Sequence, residues 1–139
     1  MTKEIEFRGL NKNGIWVYGD LLSRMQPKVI MSYGTPERYN DYHETEIIDG
    51  TQGQYIGKKD KDGNKIYNGD IITMHLFIQS GAGEGEREFT GSISIDEYGV
   101  YFNNFDKDDQ LSGYLFGFAM HEDSLTVIGN IHQNPELRK

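Results

Sequence analysis

The triplet His121-Glu122-Asp123 offers an imidazole beside two carboxylates, the groups that a general acid and base or a divalent metal would use. Consecutive side chains in an extended segment alternate faces, so these three do not converge on one atom. The remaining histidines, His43, His75 and His132, lack the i, i+4 or short paired spacing that aims two imidazoles at one metal. Asp60-Lys61-Asp62-Gly63-Asn64 opens like a calcium loop, with oxygen-bearing side chains at alternate positions. The match then breaks, because Lys65 and Ile71 stand where such a loop needs glycine and a bidentate glutamate. A hairpin turn in which glycine takes positive φ is expected there instead. Gly81-Ala82-Gly83-Glu84-Gly85 is glycine-rich, yet no Lys-Ser or Lys-Thr follows and Glu84, Glu86 and Glu88 would repel a phosphate. No Gly-x-Ser-x-Gly elbow is present, and Ser92 and Ser94 fall in a strand pattern. No enzyme, catalytic residue, metal site or cofactor is therefore expected; were there a reaction, His121 or His43 would be its general base.

Charge says more than motif. The chain has 14 basic and 22 acidic residues, a formal charge of −8. Residues 1–69 are balanced at 10 of each sign, whereas residues 70–139 hold 4 basic and 12 acidic, so the whole imbalance lies in the second half. Glu84, Glu86, Glu88, Asp106, Asp108 and Asp109 form its centre, an acidic C-terminal face suited to a basic protein partner or simply to water. Such a balance opposes loose association with nucleic-acid phosphates. The alternative is a local contact through Lys58, Lys59, Lys61 and Lys65, which flank Tyr55 and Tyr67 in the neutral half, the aromatic and basic mixture that single strands prefer.

The elements that must position these residues read as strands. There are 17 glycines, 3 prolines, 9 tyrosines and 7 phenylalanines in 139 residues, the composition of short strands joined by tight turns. Ile5 and Phe7 alternate with Glu4, Glu6 and Arg8 as a first strand, and Asn13-Gly14 turns into Ile15-Trp16-Val17-Tyr18. Further strands are expected over 28–32, 45–48, 54–58, 65–67, 70–79, 88–96, 99–103 and 125–132. Residues 33–43 are expected as a loop whose tyrosines contact something, and 81–85 as a mobile hairpin tip. Residues 111–123 suit a short helix or irregular crossover, and Asn134-Pro135 can begin one helical turn with Asn134 as its cap. An internal echo joins two stretches: Asn11-Lys12-Asn13-Gly14 leads into Val17-Tyr18-Gly19-Asp20, and Asp60-Lys61-Asp62-Gly63 into Ile66-Tyr67-Asn68-Gly69-Asp70. Each reads as a glycine turn, a strand, a Gly-Asp bend and another strand, one local solution used twice. Zero cysteines excludes disulfides and thiolate chemistry and is compatible with a reducing compartment, so the cytoplasm is expected. A mean hydropathy of −0.66 and the absence of a long apolar run make neither a membrane span nor a secretory signal expected.

The stretch Gly53-Gln54-Tyr55-Ile56-Gly57-Lys58-Lys59-Asp60-Lys61-Asp62-Gly63-Asn64-Lys65-Ile66-Tyr67-Asn68-Gly69-Asp70-Ile71-Ile72 resembles the YopX-like family of bacteriophages and prophages. Lys3 to Gly9, Trp16 to Asp20 and Val127 to Leu137 extend the resemblance over essentially the whole chain. Many members have Arg-Ala-Trp-Asp where this chain has Arg8-Gly9-Leu10-Asn11. The resemblance implies an all-β protein, with a β-rich N-terminal subdomain over 1–50 and a small SH3-like barrel over 51–139, and no established activity, cofactor or catalytic residue. The expectation drawn from it is a non-enzymatic phage or prophage accessory protein acting as a protein-binding module. Its partner would be a phage or host protein in the host bacterial cytoplasm, or further copies of itself as a homo-oligomer through an open strand edge.

Overall fold

The computed structural model describes residues 4–33, 42–80, 83–106, 113–114 and 124–138. The chain is all-β, built on two antiparallel sheets, and divides into two compact units, Met1–Tyr55 and Ile56–Lys139. In the first unit β1 (Phe7–Leu10), β2 (Trp16–Leu22), β3 (Val29–Tyr33) and β4 (Tyr42–Glu46) form a meander in the order β4-β3-β2-β1. The first residues of β5 (Gly53–Lys59) pair with Arg8 and Phe7 on the outer side of β1. Leu10, Val29, Ile30 and Ile47 are buried there. The Arg8 guanidinium, also buried, lies 4.0 Å from the Trp16 ring centroid, a cation–π contact across the β1–β2 pair.

Of the loop expected over 33–43, residues 34–41 lie outside the described residues, whereas Tyr33 ends β3 and Tyr42 and His43 open β4, pairing with Tyr33 and Ser32. Tyr42-His43-Glu44-Thr45-Glu46 has no apolar alternation, so its strand character comes from the register with β3, which the residues alone do not announce. Ile48, expected inside that strand, lies beyond it and is exposed.

In the second unit β6 (Lys65–Tyr67) leads to β7 (Asp70–Ser80), β8 (Gly83–Asp96), β9 (Gly99–Asn104), β10 (Gly113–Tyr114) and β11 (Leu125–Asn130). The last five make a sheet in the order β10-β9-β8-β7-β11. Ile56, Ile66, Ile72, Met74, Phe89, Ile93, Phe102 and Leu125 pack into one core, each such side chain worth about 1.5–3 kcal/mol when fully buried. The backbone of β9 comes so close to Gly91 that a Cβ there would stand 2.2 Å from the Asn103 carbonyl oxygen and 2.8 Å from the Phe102 ring. Of the stretch 111–123 only Gly113–Tyr114 and its pairing with Phe102 and Tyr101 is described; the expected helix or crossover lies otherwise outside the described residues. Pro135–Leu137 forms a 3-10 turn with Asn134 at its N-cap position and Pro135 first, as expected, but the Asn134 side chain makes no capping hydrogen bond. Its Oδ1 instead accepts the Asn130 N–H at 3.1 Å, closing the loop after β11.

The internal echo is real at the level of hydrogen bonds. Asn11 Oδ1 accepts from the N–H groups of Asn13 and Ile15, and Asp60 Oδ1 from those of Asp62 and Asn64. In both turns the first residue's N–H donates to the carbonyl four residues on, and its carbonyl accepts from the glycine N–H. Gly14 and Gly63 hold matching φ of 76° and 84°. Beyond the turns the two copies diverge, contrary to the shared Gly-Asp bend expected. Gly19 and Asp20 lie inside an unbroken β2, whereas the extra residue Asn68 lets Gly69 turn the chain between β6 and β7. Asp70 Oδ2 then accepts the Tyr67 N–H at 2.7 Å.

Asp60 does more than its counterpart. Its Oδ2 accepts the Val127 N–H at 3.0 Å, and Lys61 N–H donates to the Leu125 carbonyl, so the turn is bonded to β11. Burial raises the Asp60 pKa, but hydrogen bonds from Val127, Asn64 and Asp62 outweigh it and leave the carboxyl below its ordinary value. A depressed folded value stabilises the fold fully above the unfolded carboxyl's value of about 3.9 and is lost as pH falls through the folded value. Asp60→Asn should therefore cost about 2–3 kcal/mol at neutral pH, with the difference from the parent shrinking as pH falls below the unfolded carboxyl's value of about 3.9, read from urea midpoints. An unchanged midpoint at pH 7 would show that the clamp contributes nothing. Gly91→Ala should cost about 1–3 kcal/mol by the same measurement, because backbone must move to admit the methyl group.

Candidate partner-binding face

β7 and β8 pair without interruption from Ile71↔Ser92 to Ser80↔Gly83. Residues 81 and 82 of the expected mobile tip lie outside the described residues, and the strand, expected from Glu88, begins at Gly83. Glu84 and Glu86 are thus ladder positions, opposite Gln79 and Phe77. Backbone hydrogen bonding carries this extension, since Gly-Glu-Gly-Glu supplies no apolar pattern.

Alternation along the ribbon separates two faces. Met74 and Phe89, directly opposite each other, are buried in the core. One position on, His75 and Glu88 form the next pair, on the other side. His75 Nε2 lies 3.1 Å from Glu88 Oε2 and its Nδ1 3.8 Å from Glu86 Oε1, with the Glu86 and Glu88 side chains 71% and 54% exposed. The structure thus brings Glu86 and Glu88 together with a histidine that sequence spacing did not associate with them. The signal was available only through the hairpin register, which sets residue 75 opposite 88. Asp106 is exposed just after β9, where the Phe105 N–H donates to the Thr90 carbonyl. Asp108, Asp109 and His121 lie outside the described residues. His43 is exposed on β4, within the other unit.

The lysines of the alternative reading are placed differently. Lys58 and Lys59 are consecutive in β5 and so take opposite faces, Lys61 sits in the turn and Lys65 opens β6. Tyr55 and Tyr67, which would have stacked on bases, are 5% and 3% exposed and belong to the interior. Asp60, the first oxygen of the calcium-like stretch, is filled by N–H donors. Among the described residues no group of three His, Asp or Glu is arranged to hold a metal ion, and no helix is long and apolar enough to cross a membrane.

These features define an all-β protein of two antiparallel sheets, with Glu86 and Glu88 exposed on the second. The chain belongs to the YopX protein family, which matches residues 6–139. The crystal structure of protein EF1440 from Enterococcus faecalis is similar in fold, with a TM-score of 0.53 over 99% of this chain and 100% of that one at 21% identity. No curated protein gives a significant match.

Because the His75 contacts are half exposed, they are worth little to the fold. His75→Ala should shift stability by less than about 1 kcal/mol in a urea titration. A larger loss would mean that the cross-strand pair holds the ribbon together.

Proposed function

We propose that the protein is a non-enzymatic accessory module, of phage or prophage origin and working in the bacterial cytoplasm, that binds a basic protein partner through its acidic C-terminal face. The observation that carries this reading is the exposure of Glu86 and Glu88 on the side of the β7–β8 ribbon opposite the core residues Met74 and Phe89. A row of carboxylates on a ribbon anchored by a packed base steers a cationic partner without requiring a pocket. Asp106 is exposed just beyond β9, and Asp108 and Asp109 follow it in sequence. Reading unit 2 as a small SH3-like barrel belongs to the same proposal. It is supported by the bend at Gly69, the irregularity between Val127 and Gly129 in β11, and the bonding of the 60–64 turn to β11.

Titration with a fluorescent, unstructured lysine-rich peptide tests the face. The full chain should bind at low ionic strength, with affinity falling as salt is added, and Glu86→Lys with Glu88→Lys should weaken binding by about tenfold or more. Equal binding by the charge-reversed protein, or none at low salt by the parent, rejects the reading.

A further inference from the structure

The two sheets treat their edges differently. In unit 2 the outer side of β11 is occupied, because Val127 N–H is held by the Asp60 carboxylate and the Leu125 carbonyl by Lys61 N–H. In unit 1 β4 ends the sheet, and among the described residues no strand pairs with its other side. The register fixes which groups face outward. Ile47 N–H donates to the Lys28 carbonyl, one step beyond the Val29↔Glu46 pair, so 28/47, 30/45 and 32/43 are the hydrogen-bonded pairs. The N–H and C=O groups of Tyr42, Glu44 and Glu46 therefore point away from β3.

Natural edges are usually guarded by lysine, proline, a bulge or extreme shortness. β4 has five consecutive regular pairs with β3, and its sequence Tyr42-His43-Glu44-Thr45-Glu46 contains neither lysine nor proline. Its charge is instead acidic. Asp20, Met31 and Glu44 form one row across three strands, with Glu46 two residues further on the same side, and Asp20, Glu44 and Glu46 are all exposed. Glu44, Thr45 and Glu46 also line a cleft of about 270 Å³ with Asn11, Lys12 and Asn13 of the first Asx-closed turn.

We propose that β4 is a strand-addition site for an extended, lysine- or arginine-bearing segment of a partner protein. Main-chain hydrogen bonds to residues 42, 44 and 46 supply the attachment, and alternate basic side chains meet Glu44 and Glu46. A second copy of this chain fits less well, since antiparallel pairing of two β4 strands about their centre sets Glu44 against Glu44 of the other copy. This site is independent of the acidic ribbon and stands or fails separately.

The test uses the full chain and a capped peptide of alternating threonine and lysine, with a control of the same charge N-methylated at alternate residues so that it cannot pair. The unmodified peptide should bind and slow amide hydrogen exchange at Glu44 and Glu46, and the methylated one should bind about tenfold or more weakly. Glu44→Pro, whose lost N–H faces outward and leaves the β3 ladder intact, should abolish the protection at Glu46, with circular dichroism confirming the fold. Glu44→Lys with Glu46→Lys should weaken binding, while Glu86→Lys with Glu88→Lys leaves the protection at 44 and 46 unchanged. Absence of protection in the parent, equal affinity for the methylated peptide, or protection at 44 and 46 from self-association alone in sedimentation would each overturn the proposal.

Discussion

Asp60 stands where local and long-range order meet. Four N–H donors surround its carboxylate: two backbone groups of its own turn, the Asn64 amide, and Val127, 67 residues away. A neutral side chain could close the turn, as Asn11 does, but only a carboxylate presents a second accepting oxygen to β11. That one group therefore couples the hairpin entering the second unit to the strand that nearly ends it. A local turn whose geometry depends on a distant strand also makes that strand's register depend on the turn.

The same register that builds the core of unit 2 sorts its charge. Because successive residues alternate sides, once Met74 and Phe89 are placed inward the glutamates at 86 and 88 have no choice of face. The display of Glu86 and Glu88 on the outer side is thus a by-product of packing, and no separate scaffold is needed for it. In unit 1 acidic residues instead accompany a strand that, among the described residues, pairs on one side only, so charge and main-chain valence coincide there.

Much of this was legible in the residues, for physical reasons that also explain the gaps. Asn13-Gly14 and Asp62-Gly63 announced their turns because positive φ restricts the choice of residue, and the apolar run Ile71-Ile72 announced a buried strand. The family resemblance lay in the central phrase 53–72 around the second turn and in stretches near both ends, and the family model matches residues 6–139. The start of β4 and the outer part of β8 were missed because polar strands are held by their neighbours' backbones, which leave no mark on side-chain pattern. Asn134 does stand at the N-cap position, but its side chain makes no capping bond for a related reason: it accepts from the Asn130 N–H, a donor invisible to a rule that looks only forward along a helix. His75 and Glu88 met across a hairpin whose register depends on how tightly residues 80 and 83 close.

The twin turns carry an evolutionary asymmetry. At position 11 the side chain's hydrogen bonds, among the described residues, stay within its own loop, so serine or aspartate could close that turn as well. At position 60 an amide would turn an N–H toward that of Val127, so the amide that suits one copy is destabilising in the other. Mutational drift in two phrases of common form is in this way channelled by a single distant amide, and the N-terminal phrase is the one free to wander.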